Sequence, residues 1–358
     1  VVRIRELDGI RGAAILLVLV VHCCWNPELK EPLSSIVHLG WTGVDLFFVL
    51  SGYLITSTLL KTKTETTYFR AFYTNRLLRI FPLYYAFLLV ATFVVSAPLW
   101  QWSGYWLYLG NFLNATGHAL PSFGHFWSLA IEEQFYLIWP LVVYMVPLRR
   151  LTWLCVGAVI VMAVVRYGVV HFHLPSREFV YTLTPLRCDG LLLGALVACL
   201  QDRGILVRFS PALRWTAGVG LALLCYGVFR DHGTWYVDPP IERFGYLGVD
   251  VLFASLIAAV LVWQHSSWFK VTRTPLLVFF GKYSYAIYIF HLPIVRYLAP
   301  AMGITMAPLI RSVVMLLLVT SLSVVAALIS WNLLEKRCLA LKERLRAQRE
   351  DRLLAAPA

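Results

Sequence analysis

A chain of 358 residues with 59% apolar and only 14% charged side chains, and a mean hydropathy of +0.71, is excluded from the class of soluble globular domains. Its net charge of +12 would suit nucleic acid. The basic residues lie in short loops and beyond Lys336, however, which excludes that partner and favours anionic lipid headgroups. The seven cysteines form no CxxC and no metal-ligand spacing, so neither a disulfide framework nor a bound metal is expected, and most of them read as small buried hydrophobes.

Ten apolar stretches follow in chain order, each near the length that crosses a bilayer: 7–25, 40–60, 79–98, 126–147, 151–170, 180–200, 212–229, 245–263, 276–298 and 309–333. The fold class is therefore an all-α, polytopic helical bundle. The first stretch is not expected to be a removable signal peptide, because Arg11 interrupts its apolar part and no small-residue cleavage site follows. The aromatic segment from Leu99 to Asn114 is expected to lie in the membrane interface rather than to span it. With a cytosolic N-terminus, basic residues divide about 21 to 6 in favour of the cytosol, so both termini are placed there. The loop from Lys61 to Asn75 is then cytosolic and the stretch from Gln101 to His125 external. Two regions are expected: a transmembrane domain over 1–335 and a basic cytosolic tail over 336–358.

Converting position to depth at about 1.5 Å per residue places the ionisable side chains inside these spans. In the first, Arg11 lies near the cytosolic end and His22 near the outer end. They sit on nearly the same helix face, about 16 Å apart along the axis. Asp45, Glu132, Glu133, Arg166, Arg187, Asp189 and His291 fall in the outer halves of their spans, whereas Arg11, Arg76, Arg79 and Lys282 gather on the inner side. The pattern predicts a polar outer chamber above a basic inner entrance. Burying such groups without partners costs several kcal/mol each, so they are candidates for function, with helix-locking ion pairs such as Arg187 with Asp189 or Glu132 as the alternative.

Six segments in this order carry a resemblance: "LDGIRGAAILLVLVVH", "GWTGVDLFFVLSGYLI", "NRLLRIFPLYY", "FWSLAIEEQFYLIWPL", "LRCDGLLLGALVA" and "GKYSYAIYIFHLPI". Together they resemble the membrane acyltransferase family 3, whose members O-acylate sugars, cell-envelope polysaccharides and some small molecules. The family often shows Glu-Arg-Pro near its end; here Glu335-Lys336-Arg337 stands instead, read as part of the cytosolic tail. Some members carry an extracytoplasmic esterase-like domain. No such segment is expected here, so a second transfer step would need another protein or would not exist.

The resemblance implies a bacterial cytoplasmic-membrane enzyme with no permanently bound cofactor. Its donor co-substrate is an acyl-CoA, usually acetyl-CoA, and its acceptor a hydroxyl, expected on a carbohydrate. The predicted layout suits that donor, since arginines give forked hydrogen bonds to phosphates: Arg11, Arg76, Arg79 and Lys282 are assigned to donor binding. His22 is assigned as general base, because an unperturbed imidazole accepts a proton near neutral pH. Asp45 and Glu132, at similar depth, are its expected orienting partners. Glu133, Arg187, Asp189, Tyr288 and His291 are assigned to the acceptor. Direct transfer is expected, because no serine or cysteine comes with an evident activating group; Cys23, Ser51 or His22 itself would be the nucleophile of a two-step route. A proton-coupled secondary transporter would use the same buried His, Asp and Glu groups, and a non-catalytic scaffold is the third reading.

Overall fold

The computed structural model describes residues 4–26, 28–172, 177–231, 234–301, 306–338 and 340. Most of the predicted basic tail therefore lies outside the described residues. Among them every regular element is helical. That is what lipid demands of a chain this apolar, since a helix satisfies its own backbone groups.

Among the described residues eight helical stretches are long and apolar enough to cross a membrane: Arg5–Cys24, Leu33–Thr62, Tyr68–Val94, Leu148–His171, Leu206–Phe229, Ile241–Val262, Pro275–Leu298 and Pro308–Cys338. The protein is thus a multi-pass membrane protein. Their main helices are α1 (Arg5–Cys24), α3 (Thr42–Thr62, after the short α2, Leu33–His38) and α4 (Tyr68–Val94). Two small helices follow, α5 (Leu99–Trp106) and α6 (Gly110–Ala115), too short to span, as the aromatic segment predicts.

The two remaining predicted spans differ from the eight for separate reasons. The 126–147 stretch forms one helix, α7 (Phe126–Met145), in which two glutamates, a glutamine and several aromatic rings lower the hydropathy. Its outer face is nonetheless apolar and exposed at Leu137, Ile138, Leu141 and Met145, as a lipid-facing surface would be. After α8 (Leu148–His171), the 180–200 stretch is broken into α9 (Arg177–Thr182), α10 (Thr184–Arg187) and α11 (Asp189–Asp202). Leu183 is extended, and Pro185 occupies the first turn of α10, where its missing N–H costs nothing. α12 (Ser210–Asp231), α13 (Tyr246–Val262), α14 (Pro275–Leu298) and α15 (Pro308–Ser330) complete the bundle. The loop expected at 61–75 is shorter, since α3 runs to Thr62 and α4 starts at Tyr68.

α1 is the hub, packed chiefly against α14 and also against α3 and α15. Its contact with α14 is backbone to backbone. A Cβ on Gly12 would stand 2.0 Å from the Leu277 carbonyl oxygen, and one on Gly281 would stand 1.8 Å from that of Asp8. α3 meets α11 the same way through Gly52 and Gly194. Small residues at crossings are how helices approach closely where the hydrophobic effect gives no drive between them. The two crossings set α1, α3 and α14 around the candidate site.

Candidate functional site

Among the described residues most of the assigned side chains gather in two cavities, with Val44 and Tyr288 lining both. The first, of about 580 Å³, receives Arg11, Arg76, Arg79 and Lys282, the four cations assigned to the donor. Glu132 and Glu133 also line it, as do Ser51, Tyr285 and Glu335. Arg11 approaches Asp8 at 3.9 Å. The Arg76 guanidinium lies 4.5 Å from the Tyr136 ring centroid, and the Lys282 ammonium sits 4.7 Å from that of Trp331. The Tyr136 hydroxyl donates to Ser51 Oγ at 2.9 Å, and Ser330 Oγ donates to the Glu335 carboxylate at 3.0 Å.

The second cavity, of about 570 Å³, receives His22 and His125. His22 is half-buried near the end of α1. Its Nδ1 lies 2.9 Å from the Val18 carbonyl oxygen and 3.3 Å from Nε2 of the fully buried His291. His291 Nδ1 in turn lies 2.7 Å from the Tyr288 carbonyl oxygen. A carbonyl only accepts, so the proton of each neutral imidazole is assigned to Nδ1. His291 then offers the Nε2 lone pair to His22 Nδ1–H, and His22 keeps its own lone pair on Nε2. That is the tautomer a general base needs. Aromatic side chains, Trp127, Tyr181, Trp235 and Tyr236 among them, form much of the remaining wall. Burial, with Glu178 nearby, pushes the Tyr236 phenol up to about 12, so it remains a hydrogen-bond donor.

Several assigned residues are placed elsewhere than their depth suggested. Asp45 does not orient His22: its carboxylate accepts from Arg187 Nη2 at 2.6 Å, with both side chains fully buried. Asp189 accepts from Arg166 Nη1 at 2.7 Å rather than pairing with Arg187. Arg166 also donates to the Leu186 carbonyl, and Arg187 stacks 4.1 Å from the Tyr246 ring centroid. With the buried Asp250 these groups form an ionic layer among α3, α8, α10, α11 and α13, and Asp45, Arg187 and Asp189 line neither cavity. The break between α10 and α11 falls between Arg187 and Asp189, letting each reach its own partner.

Glu132 is also displaced. It faces Ser51, Tyr136, Arg76 and Arg11 in the first cavity, not His22 in the second. Glu132 lies about 10 Å along α7 from His125, at roughly 1.5 Å per residue, which carries it out of the His22 cavity and into the Arg11 cavity. His291, assigned to the acceptor, lines neither cavity and instead supports His22. Tyr288 lies between the cavities, its hydroxyl 2.6 Å from Ser128 Oγ and donating to the His125 carbonyl oxygen at 2.9 Å. Glu335, read as tail, belongs to the wall of the first cavity. His125 was missed because it stands one residue before the 126–147 stretch; an ionisable residue at the edge of a predicted span was the available signal.

An arginine-lined and a histidine-lined cavity that share Val44 and Tyr288 in their walls describe an arrangement, which sequence relationships place in a family. The acyltransferase domain family matches residues 4–332. The chain belongs to this acyltransferase family. It is 28% identical over 342 residues to the peptidoglycan O-acetyltransferase OatA of Listeria monocytogenes, covering 87% of this chain and 52% of that protein. It is 29% identical over 318 residues to the O-acetyltransferase OatA of Staphylococcus aureus, covering 81% of this chain and 50% of that one. The chain thus spans about half the length of the curated relatives it matches. No solved structure matches it. Family membership leaves the transporter reading without support.

Proposed function

We propose that this acyltransferase-family protein is a membrane O-acyltransferase of the bacterial envelope. It would move an acyl group, acetyl in the first instance, from acyl-CoA to a hydroxyl of a glycan such as peptidoglycan. One observation carries the reading: a single helix, α1, presents Arg11 to one cavity and His22 to the other, and the two cavities meet at Val44 and Tyr288. The reading takes the Arg11 cavity as the cytosolic side, following the bias of basic residues.

In this scheme Arg11, Arg76, Arg79 and Lys282 hold the donor's phosphates, and the thioester arm extends toward Tyr288. The acceptor hydroxyl lies at His22. His22 Nε2 takes the hydroxyl proton as the oxygen attacks the thioester carbonyl carbon. A C–O bond forms, the C–S bond breaks, and the departing thiolate takes the proton back from the imidazolium. His291 and the Val18 carbonyl hold the His22 ring in the required tautomer. The scheme takes transfer as direct, with no acyl-enzyme.

The test uses the purified protein in nanodiscs with acetyl-labelled acetyl-CoA and soluble peptidoglycan fragments. Label should pass to the fragments as an O-ester, one for each thioester consumed. Intact thioester, together with an unchanged envelope acyl mass in cells lacking the protein, would contradict the reading.

A further inference from the structure

Helix α15 connects the two cavities along one axis. Ser312 and Met315, in its first turns, line the His22 cavity, and Trp331, just past its end, lines the Arg11 cavity. Met315 and Trp331 are about 24 Å apart along that axis, at roughly 1.5 Å per residue. From Trp331 to Glu335 the chain leaves the α-helical ladder for a π-helical turn, in which the Lys336 N–H donates to the Trp331 carbonyl five residues back. Single π-helical turns are rare and gather at functional sites. This one brings both Trp331 and Glu335 into the wall of the Arg11 cavity.

The turn is held in place from several sides. It packs against α4, the helix that carries Arg76 and Arg79. Glu335 faces Arg79 and accepts from Ser330 Oγ at 3.0 Å. Tyr283 meets Trp331 edge to face, with ring centroids 5.6 Å apart. The Trp331 ring is only half-buried, and the Lys282 ammonium stands 4.7 Å from its centroid. An anion drawn to Lys282 therefore comes to rest beside an indole. A nucleotide needs that pairing, a cation for its phosphate and a ring for its base. The C-terminal end of α15 carries the negative end of the helix dipole, so it suits the uncharged base and leaves the phosphates to the arginines.

Resting on the acyl-CoA reading above, we propose that Trp331 is the platform on which the donor's adenine base stacks. The phosphates lie on Lys282 and the arginines, and the arm leads from there toward Tyr288. Base and thioester are opposite ends of an acyl-CoA, and α15 carries the platform well away from His22. Glu335 is a positioning residue that ties the π-helical turn to Ser330 and toward Arg79. The rival role for a half-buried tryptophan at a helix end is an anchor in the membrane interface.

Donors with and without the nucleotide separate the two roles. The probes are acetyl-CoA and S-acetyl-4′-phosphopantetheine, which keeps the thioester, the arm and a phosphate but has no adenosine. Transfer to peptidoglycan fragments is measured for each donor with the protein in nanodiscs. W331A should lower kcat/KM for acetyl-CoA about 5- to 100-fold, the usual loss for one base–aromatic stack, and should do so through KM. Its kcat/KM for S-acetyl-4′-phosphopantetheine should stay at the wild-type value. W331F keeps a ring and should recover most of the acetyl-CoA value. If W331A does not fold, W331L serves in its place. Equal losses on both donors, or no loss on either, would make Trp331 a membrane-interface or packing residue and overturn the proposal. A wild-type protein that uses both donors equally well would overturn it too. A wild-type protein that leaves acetyl-CoA intact would instead bring down the donor reading, and this proposal with it.

Discussion

The two cavities are nearly equal in size, about 580 and 570 Å³, and unlike in chemistry. The Arg11 cavity brings together four of the cations singled out in the sequence with carboxylates and tyrosines. The His22 cavity is aromatic and holds two imidazoles. Charge of fixed sign suits holding an anionic donor through electrostatics; a neutral imidazole with a free lone pair suits moving a proton. Between them Tyr288 spans the partition, and beside them the Asp45–Arg187 and Arg166–Asp189 pairs touch neither space. In the proposed scheme, binding, chemistry and scaffolding are thus kept in three separate places.

The largest expected effect tests the chemical half. His22→Ala should slow acyl transfer about 10²- to 10⁴-fold, the range for loss of a general base. Transfer at the wild-type rate would remove His22 from the chemistry. His291→Leu should also slow transfer, by a smaller factor, because the His22 ring then keeps only its bond to Val18.

The scaffolding claim predicts a different signature. Arg187→Ala leaves Asp45 buried and unpaired, which typically costs about 3–5 kcal/mol. The melting temperature of the detergent-purified protein should fall, and replacing both partners by apolar residues of similar volume should recover much of the loss. A variant that melts like wild type but has lost donor or acceptor binding would mean that Arg187 serves a ligand instead.

The partition predicts the smallest change in stability. Tyr288→Phe loses contacts to Ser128 and to the His125 carbonyl, worth about 1 kcal/mol each. Its informative readout is leakage: thioester hydrolysis without acceptor should rise as water passes between the cavities. Hydrolysis equal to wild type would show that Val44 and the neighbouring side chains suffice as the barrier.

Much of this division was legible in the sequence, and the limits were physical. Regular helix geometry fixed the relation of Arg11 to His22, because both lie on one unbroken helix. Arg76, Arg79 and Lys282, grouped with Arg11 by their positions along the predicted spans, line one cavity with it. Partners across helices were not legible. Asp45 was matched to His22 by depth, but its partner Arg187 lies 142 residues away, reached only through the Gly52–Gly194 crossing and the break before α11. Glu132 was matched to His22, yet it lies about 10 Å along α7 from His125, which takes it into the other cavity. His125 escaped because it is not inside an apolar run at all.

The central claim is that Arg11 and His22 divide the labour along one helix, and donor affinity tests it most directly. Equilibrium binding of acetyl-CoA would be measured on folded Arg11→Ala, Arg11→Lys and His22→Ala proteins side by side. Arg11→Ala should weaken binding by tenfold or more, as expected from losing a charge-assisted hydrogen bond worth about 1.5–3 kcal/mol. Arg11→Lys should fall in between, since it keeps charge but loses the fork. His22→Ala should bind acetyl-CoA as wild type does, about three helical turns from Arg11. Equal loss of affinity in Arg11→Ala and His22→Ala, or no loss in either, would contradict the account.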